Sequence, residues 1–153
     1  MKITSILKPE AIVAQLSAKD KDGVLHELAQ AIVKGEPSVE ADKIYHVLAE
    51  REKLGSTGIG SGVAIPHGKM ENLEHIVACF GRSPAGIDFE SQDGEETHLF
   101  FGLIAPENSA GLHLQALAKL SRLLKNTGFR KKLLEGSDAQ ELFRIIAEED
   151  EKS

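Results

Sequence analysis

The chain has 153 residues, 41% of them hydrophobic, which suits one domain built around one core. Its formal net charge of −6, from 18 basic and 24 acidic residues, disfavours nucleic acid as a partner, because such binding rests on neutralising phosphates. No apolar run approaches the ~20 residues of a membrane span, the N-terminus does not read as a signal peptide, and the lone Cys79 excludes an internal disulfide; no membrane insertion is expected, and a cytoplasmic location is the default.

In chain order, residues 3–16 hold two short apolar patches around Pro9, with Ile12, Val13 and Leu16 as a short turn or strand. Val24, Leu25, Leu28, Ala31 and Ile32 form one apolar stripe and predict a helix from Lys21, capped by Asp20 or Asp22 and ended by Gly35 and Pro37. A second helix is expected from about Val39 to Lys53, with Ser38 as its N-cap. Then comes REKLGSTGIGSGVAIPHGK, Arg51 to Lys69, through which no helix can run because glycine and proline both oppose it. Within it Val63 to Ile65 reads as extended and leads into Pro66-His67.

Ile76 to Phe80 is a strand candidate, Ser83 to Gly86 and Gln92 to Gly94 read as turns, and Ile87 to Phe89 as a brief extended piece. The near-continuous apolar run His98 to Ile104 fits a central strand buried on both faces. Leu112 to Asn126 is strongly helical, with Leu114, Leu117, Leu120, Leu123 and Leu124 as inward candidates. A shorter helix, Arg130 to Leu134, and a last one capped by Ser137 or Asp138 follow, and the acidic residues 146–153 are expected to be a frayed tail. Helices, strands, then helices indicate a single α/β or α+β domain over residues 1–153.

The glycine-rich segment can wrap backbone N–H groups around an anion, with one imidazole, His67, at its edge. It is not a nucleotide loop. The spacing from Gly62 to Gly68-Lys69 is one residue too long for a P-loop and Met70 replaces the magnesium-binding Ser or Thr. The dinucleotide fingerprint fails too, because the segment follows a predicted helix and opens none. A phosphoryl-accepting histidine fits better: neutral imidazole offers one lone-pair nitrogen for attack on phosphorus while the other carries a proton. Ser56, Thr57, Gly58, Gly60, Ser61 and Gly68 are the candidate phosphate-binding loop.

On these residues alone, an incidental histidine in a tight surface turn is about as good a reading. His113 tips the balance. It sits at the start of the long helix, just after the predicted central strand, where it could meet His67 beside a helix N-terminus. Arg51 could add a bidentate phosphate contact, although an exposed ion pair with Glu50 or Glu52 would explain it as well. Ile59, Val63 and Met70 are candidates for an apolar docking patch. Zinc at His67 and His113 would need Asp88 or Glu90 as a third ligand, so no metal is expected; His98, Cys79 and the phenylalanines 89, 100 and 101 read as structural.

GSTGIGSGVAIPHGK, together with the ILKPEAIVAQLSAKDKDGVLHELAQAI opening, the Arg-Glu-x-Leu-Gly-Ser-Thr start of the loop and the His-Leu-x-x-Leu helix start, resembles the phosphotransferase-system IIA proteins of the mannitol/fructose superfamily, most closely their nitrogen-regulatory branch. The resemblance spans nearly the whole chain. It implies an α/β fold with a mixed central sheet flanked by helices, phosphorylation of His67, an assisting role for His113, and Arg51 as a stabilising member of the site. It also implies an HPr-type phosphocarrier as donor, charged from phosphoenolpyruvate through enzyme I, and neither metal nor organic cofactor. Some nitrogen-branch members have His-Leu-His where this chain has His113-Leu114-Gln115.

Three roles follow as expectations. The first is a regulator whose phosphorylation state controls target proteins. The second is a sugar-specific IIA component that passes phosphate to a IIB domain, and the third a contact-only module that has lost transfer.

Overall fold

The computed structural model describes residues 1–153. A 3-10 turn, Ile3–Ser5, precedes six strands and five helices: β1 Leu7–Val13, α1 Lys21–Gly35, α2 Ala41–Lys53, β2 Gly58–Gly60, β3 Val63–Ala64, β4 His67–Met70, β5 Val77–Ile87, β6 Thr97–Pro106, α3 Ala110–Leu124, α4 Thr127–Glu135 and α5 Ala139–Glu151. The strands form one mixed sheet in the order β1-β5-β6-β3-β2. β5 and β6 are antiparallel, and β1 runs parallel to β5. The fold class is the expected one, α/β with a mixed sheet flanked by helices.

β6 is the organising strand. Leu99, Phe100, Phe101, Leu103 and Ile104 are all buried, as a strand covered on both faces requires. Its free edge is occupied by two short parallel strands in succession. Val63 and Ala64 of β3 pair with Leu99 and Phe100, and His67 to Met70 of β4 pair with Leu103 to Pro106. Pro66 lies between them and has no N–H to give the ladder, yet its carbonyl accepts from the Leu103 N–H at 2.9 Å. The proline interrupts the strand without ending it. His67, expected in a loop, is therefore the first residue of a strand, on a rigid frame.

Asp20 caps α1 by accepting from Gly23 N–H at 2.8 Å, and Asp138 caps α5 by accepting from Glu141 N–H at 2.9 Å. α1 packs on β1, β5 and β6, α2 on α1 and β4, and α3 and α4 on β6. One core of 38 buried apolar residues joins both ends of the chain, and no helix is long and apolar enough to cross a membrane.

The structure corrects several local expectations. α2 begins at Ala41 with Glu40 at its N-cap; the Ser38 hydroxyl is spent on Glu36 instead. Ser83 to Gly86 is not a turn between elements. β5 runs through it to Ile87, with a register shift against β6 after Arg82 and a positive φ of 85° at Gly86. On α3 the buried stripe is His113, Ala116, Lys119, Leu120, Leu123 and Leu124, whereas Leu114 is 67% exposed and Leu117 only partly buried. The acidic end is helical to Glu151 instead of frayed, because Asp150 is buried and tied down: it pairs with Lys119 at 2.7 Å and accepts from Thr4 N–H at 3.1 Å.

Candidate active site

β4, the C-terminal end of α2 and the first turn of α3 surround a cleft of about 820 Å³, and His67, His113, Arg51, Gly68 and Lys69 all line it. β4 and α2 come together because residue 68 is glycine: a Cβ there would lie 2.3 Å from Val47 Cγ1.

His67 Nδ1 lies 2.7 Å from the Ile65 carbonyl oxygen. A carbonyl can only accept, so Nδ1 carries the proton and Nε2 keeps the lone pair. Burial holds the His67 pKa below its ordinary value; the Ile65 hydrogen bond and Glu52 oppose this, and the Arg51 charge adds to it. The ring is thus neutral near pH 7, with a nucleophilic nitrogen opposite its anchor.

His113 is nearly fully buried and stands edge-on to His67, ring centroids 5.4 Å apart. Its Nδ1 is buried without a hydrogen-bond partner. An orphaned buried N–H is costlier than an orphaned lone pair, so the favoured tautomer puts the proton on Nε2, where it can donate into the cleft. Burial first, then the positive charges of His67 and Lys69, push the His113 pKa down to about 4.

Arg51 Nη1 donates to the Gly55 carbonyl oxygen at 2.9 Å. The alternative of a carboxylate partner is not what the structure holds: Glu50 pairs with Lys53 at 2.8 Å and Glu52 with Lys21 at 2.9 Å. The remaining guanidinium donors are left for an anion in the cleft. The α3 N-terminus adds to the field. Its first intrahelical bond runs from His113 N–H to the Ser109 carbonyl, so the N–H groups of Ala110, Gly111 and Leu112 precede the ladder, and Ala110 lines the cleft.

Of the candidate phosphate loop, only Gly68 reaches this cleft. Ser56, Thr57, Gly58, Gly60 and Ser61 do not, and their polar groups are used within the fold. Glu52 accepts from Thr57 N–H, the Ser56 hydroxyl accepts from Gly58 N–H, and Asp93 accepts from Ser61 N–H. Gly60 packs against the Asp93 carboxylate. The glycines serve β2 and its turns, with Gly60 and Gly62 at positive φ.

The apolar rim also differs from expectation. Val63 is buried beneath the sheet edge, while Leu54, 84% exposed, and Leu114, with Leu117 and Val47, border the imidazoles. Lys69 also lines the cleft, and only its place after Gly68 marks it in the sequence. No group of three potential metal ligands comes together anywhere in the chain. His98 is structural, its Nδ1 3.0 Å from the Ser83 carbonyl, and Cys79 is fully buried with its thiol pushed up to about 12 by burial.

Residues 5–149 match the family described as phosphoenolpyruvate-dependent sugar phosphotransferase system, EIIA 2. The chain is 44% identical over 147 residues to the nitrogen regulatory protein of Bradyrhizobium diazoefficiens, covering 96% of this chain and 95% of that one. It is 37% identical over 150 residues to the fructose-specific EIIABC component of Bacillus subtilis, covering 98% of this chain and 24% of that protein. The crystal structure of nitrogen regulatory protein IIA-Ntr from Neisseria meningitidis superposes with a TM-score of 0.87 at 34% identity, covering 94% of this chain and 98% of the other. The chain therefore belongs to the EIIA type-2 family of the phosphotransferase system.

Proposed function

We propose that this EIIA domain accepts a phosphoryl group on Nε2 of His67 from an HPr-type phosphocarrier, and that its phosphorylation state controls other proteins. The observation that carries this reading is the anchoring of His67 Nδ1 on the Ile65 carbonyl, which leaves Nε2 unprotonated beside His113 and Arg51. In the transfer, the lone pair of Nε2 attacks phosphorus, the bond from phosphorus to the donor histidine breaks, and the donor ring keeps that electron pair. The proton stays on Nδ1, donated to the Ile65 carbonyl. Arg51, the His113 Nε2–H and the α3 N-terminus face the equatorial oxygens, whose charge they stabilise without reorganising.

A gain of phosphate changes the charge of a cleft rimmed by Leu54 and Leu114, which favours one partner and opposes another. The regulatory role is supported by relatives of matching length that are named nitrogen regulatory proteins. A second reading, a sugar-specific IIA component that passes phosphate to a IIB domain, is supported by the fructose-specific relative.

The test is incubation with enzyme I, an HPr-type carrier and phosphoenolpyruvate, followed by intact mass. An acid-labile, phosphate-sized gain that disappears in His67→Ala is expected. No gain on folded protein with cognate carriers would exclude transfer and leave a contact-only module.

A further inference from the structure

Behind the cleft lies a buried acid that transfer chemistry does not itself use. Glu52 is the residue after Arg51, and its side chain is only 5% exposed. Its carboxylate accepts from Thr57 N–H, with Oε2 at 3.0 Å, and from the Thr57 hydroxyl, and it pairs with Lys21 Nζ at 2.9 Å. Lys21 is held in turn by Glu90 at 3.3 Å and by the Phe89 ring, 4.9 Å from its centroid. A paired charge this enclosed contributes little net stability compared with apolar packing.

The hydrogen bonds lead from this acid to the imidazole. The Thr57 carbonyl accepts from Ile65 N–H at 3.0 Å, and the Ile65 carbonyl accepts from His67 Nδ1–H at 2.7 Å. The link is positional: fixing Thr57 fixes the carbonyl that holds Ile65, and fixing Ile65 fixes the carbonyl that holds the ring. On the other side, the turn that Glu52 closes onto Thr57 contains Gly55, whose carbonyl holds Arg51.

We propose that Glu52 is a positioning residue for phosphoryl acceptance: through Thr57 and Ile65 it fixes the carbonyl that sets the His67 tautomer, and through the same turn it holds Arg51 at the cleft. This rests on the reading of His67 as the acceptor. Glu52 also acts on the ring through space, favouring the protonated imidazole against the charge of Arg51 on α2; His113 on α3, neutral above about 4, and Lys69 on β4 line the same cleft.

The test compares wild type with Glu52→Gln, which keeps an acceptor for Thr57 and loses the charge, and with Thr57→Val, which keeps the backbone donor and loses the hydroxyl. Nitrogen-15 spectra of the imidazoles report the tautomer and titration of His67, and donor-dependent kinetics report kcat and KM. Both variants are expected to raise the Nε2–H fraction of His67 and to lower kcat about tenfold, the scale of a sub-ångström misplacement, with donor KM unchanged because the rim is untouched. Glu52→Gln is also expected to titrate His67 at lower pH.

A wild-type tautomer and kcat in folded Glu52→Gln would overturn the proposal, as would a raised KM alone. If Glu52→Gln does not fold, Thr57→Val decides by the same readouts. If wild type itself takes no phosphate, the function reading fails, and the tautomer spectra still decide whether Glu52 positions the ring.

Discussion

His113 meets His67 edge-on, with the ring planes 66° apart, and both rings face one cleft although 45 residues separate them in sequence. One ring is anchored by its Nδ1 and the other is not, so the pair divides into an acceptor and a donor. In the proposed transfer the Nε2 of His67 attacks, and the Nε2–H of His113 holds the oxygens of the arriving group.

His113→Gln, which retains a donor amide in a less constrained place, is expected to slow phosphorylation about a hundredfold, the usual cost of losing one preorganised donor. Initial rates with the phosphorylated carrier check it; a rate within twofold would remove His113 from the chemistry. The same variant should change acid stability. His113 is neutral in the fold down to about 4, while the unfolded ring takes a proton near 6.5. Between those values the unfolded chain binds the extra proton, so wild type loses stability as pH falls through this window. Urea denaturation at pH 7 and pH 4.5 should show a smaller loss for His113→Gln.

Arg51 tests geometry against charge. Its guanidinium uses one nitrogen on the Gly55 carbonyl and leaves its other in-plane N–H donors for the phosphoryl oxygens of the proposed transfer. Lysine would preserve the charge and lose both the tether and the two-pronged contact. Arg51→Lys is expected to lower kcat about tenfold and Arg51→Ala about a hundredfold. Equal kinetics for Lys and Arg would show that a point charge suffices.

The docking surface separates from the chemistry. Leu54 and Leu114 stand largely exposed at the cleft that holds the imidazoles, one at the end of α2 and one on α3. Each substitution to Asp should raise the donor KM about tenfold, as truncated apolar anchors do at interfaces, while kcat and thermal stability remain at wild-type values. A fall in kcat at constant KM would place these leucines in the reaction instead.

The long periodic segments were legible: the α1 stripe, the β6 run and the α3 helix each carry enough apolar residues for their period to fix their type. His67, His113 and Arg51 could be singled out by residue type, and the fold brings all three to one cleft. The glycine loop misled. Its small residues suggest an anion cradle, but glycine serves tight strand pairing equally well, and here Thr57 and Ser61 donate to Glu52 and Asp93. Which carboxylate consumes a backbone N–H depends on contacts across the fold, and local sequence does not encode them. The buried face of α3 failed for a related reason: leucines occur all round that helix, so the packing of β6 and α4 against it decides which are covered.

Asp150 shows what such a long-range contact is worth. An acidic C-terminal stretch reads as solvated, yet this carboxylate reaches Lys119 on α3 and Thr4 near the N-terminus. Burial pushes its pKa up, but Lys119 and the N–H groups of Thr4 and Ile3 override this and hold it below the usual carboxylate value. The folded carboxyl thus stays charged where the unfolded one protonates, and its contribution is present above the unfolded pKa and lost as pH falls from there through the lower folded pKa. Asp150→Ala leaves Lys119 enclosed and unpaired, and should cost about 3 kcal/mol. Denaturant unfolding at pH 7 checks this, and a loss below about 0.5 kcal/mol would mean that the pair is solvated like an ordinary surface pair.

Gly68 joins packing to function. A methyl group there would overlap Val47 Cγ1, the end of a short and stiff side chain, so relief must come from backbone movement of α2 away from β4. Overpacking of this kind costs about 1–3 kcal/mol. The same movement would carry Arg51, one turn beyond Val47, away from His67, so Gly68→Ala should also lower kcat. Adding Val47→Ala vacates the space the new methyl needs and should restore kcat more fully than it restores stability, since the lost valine methyls are not replaced. If Gly68→Ala alone is as active as wild type, the approach of α2 to β4 does not set the distance between the guanidinium and the imidazole.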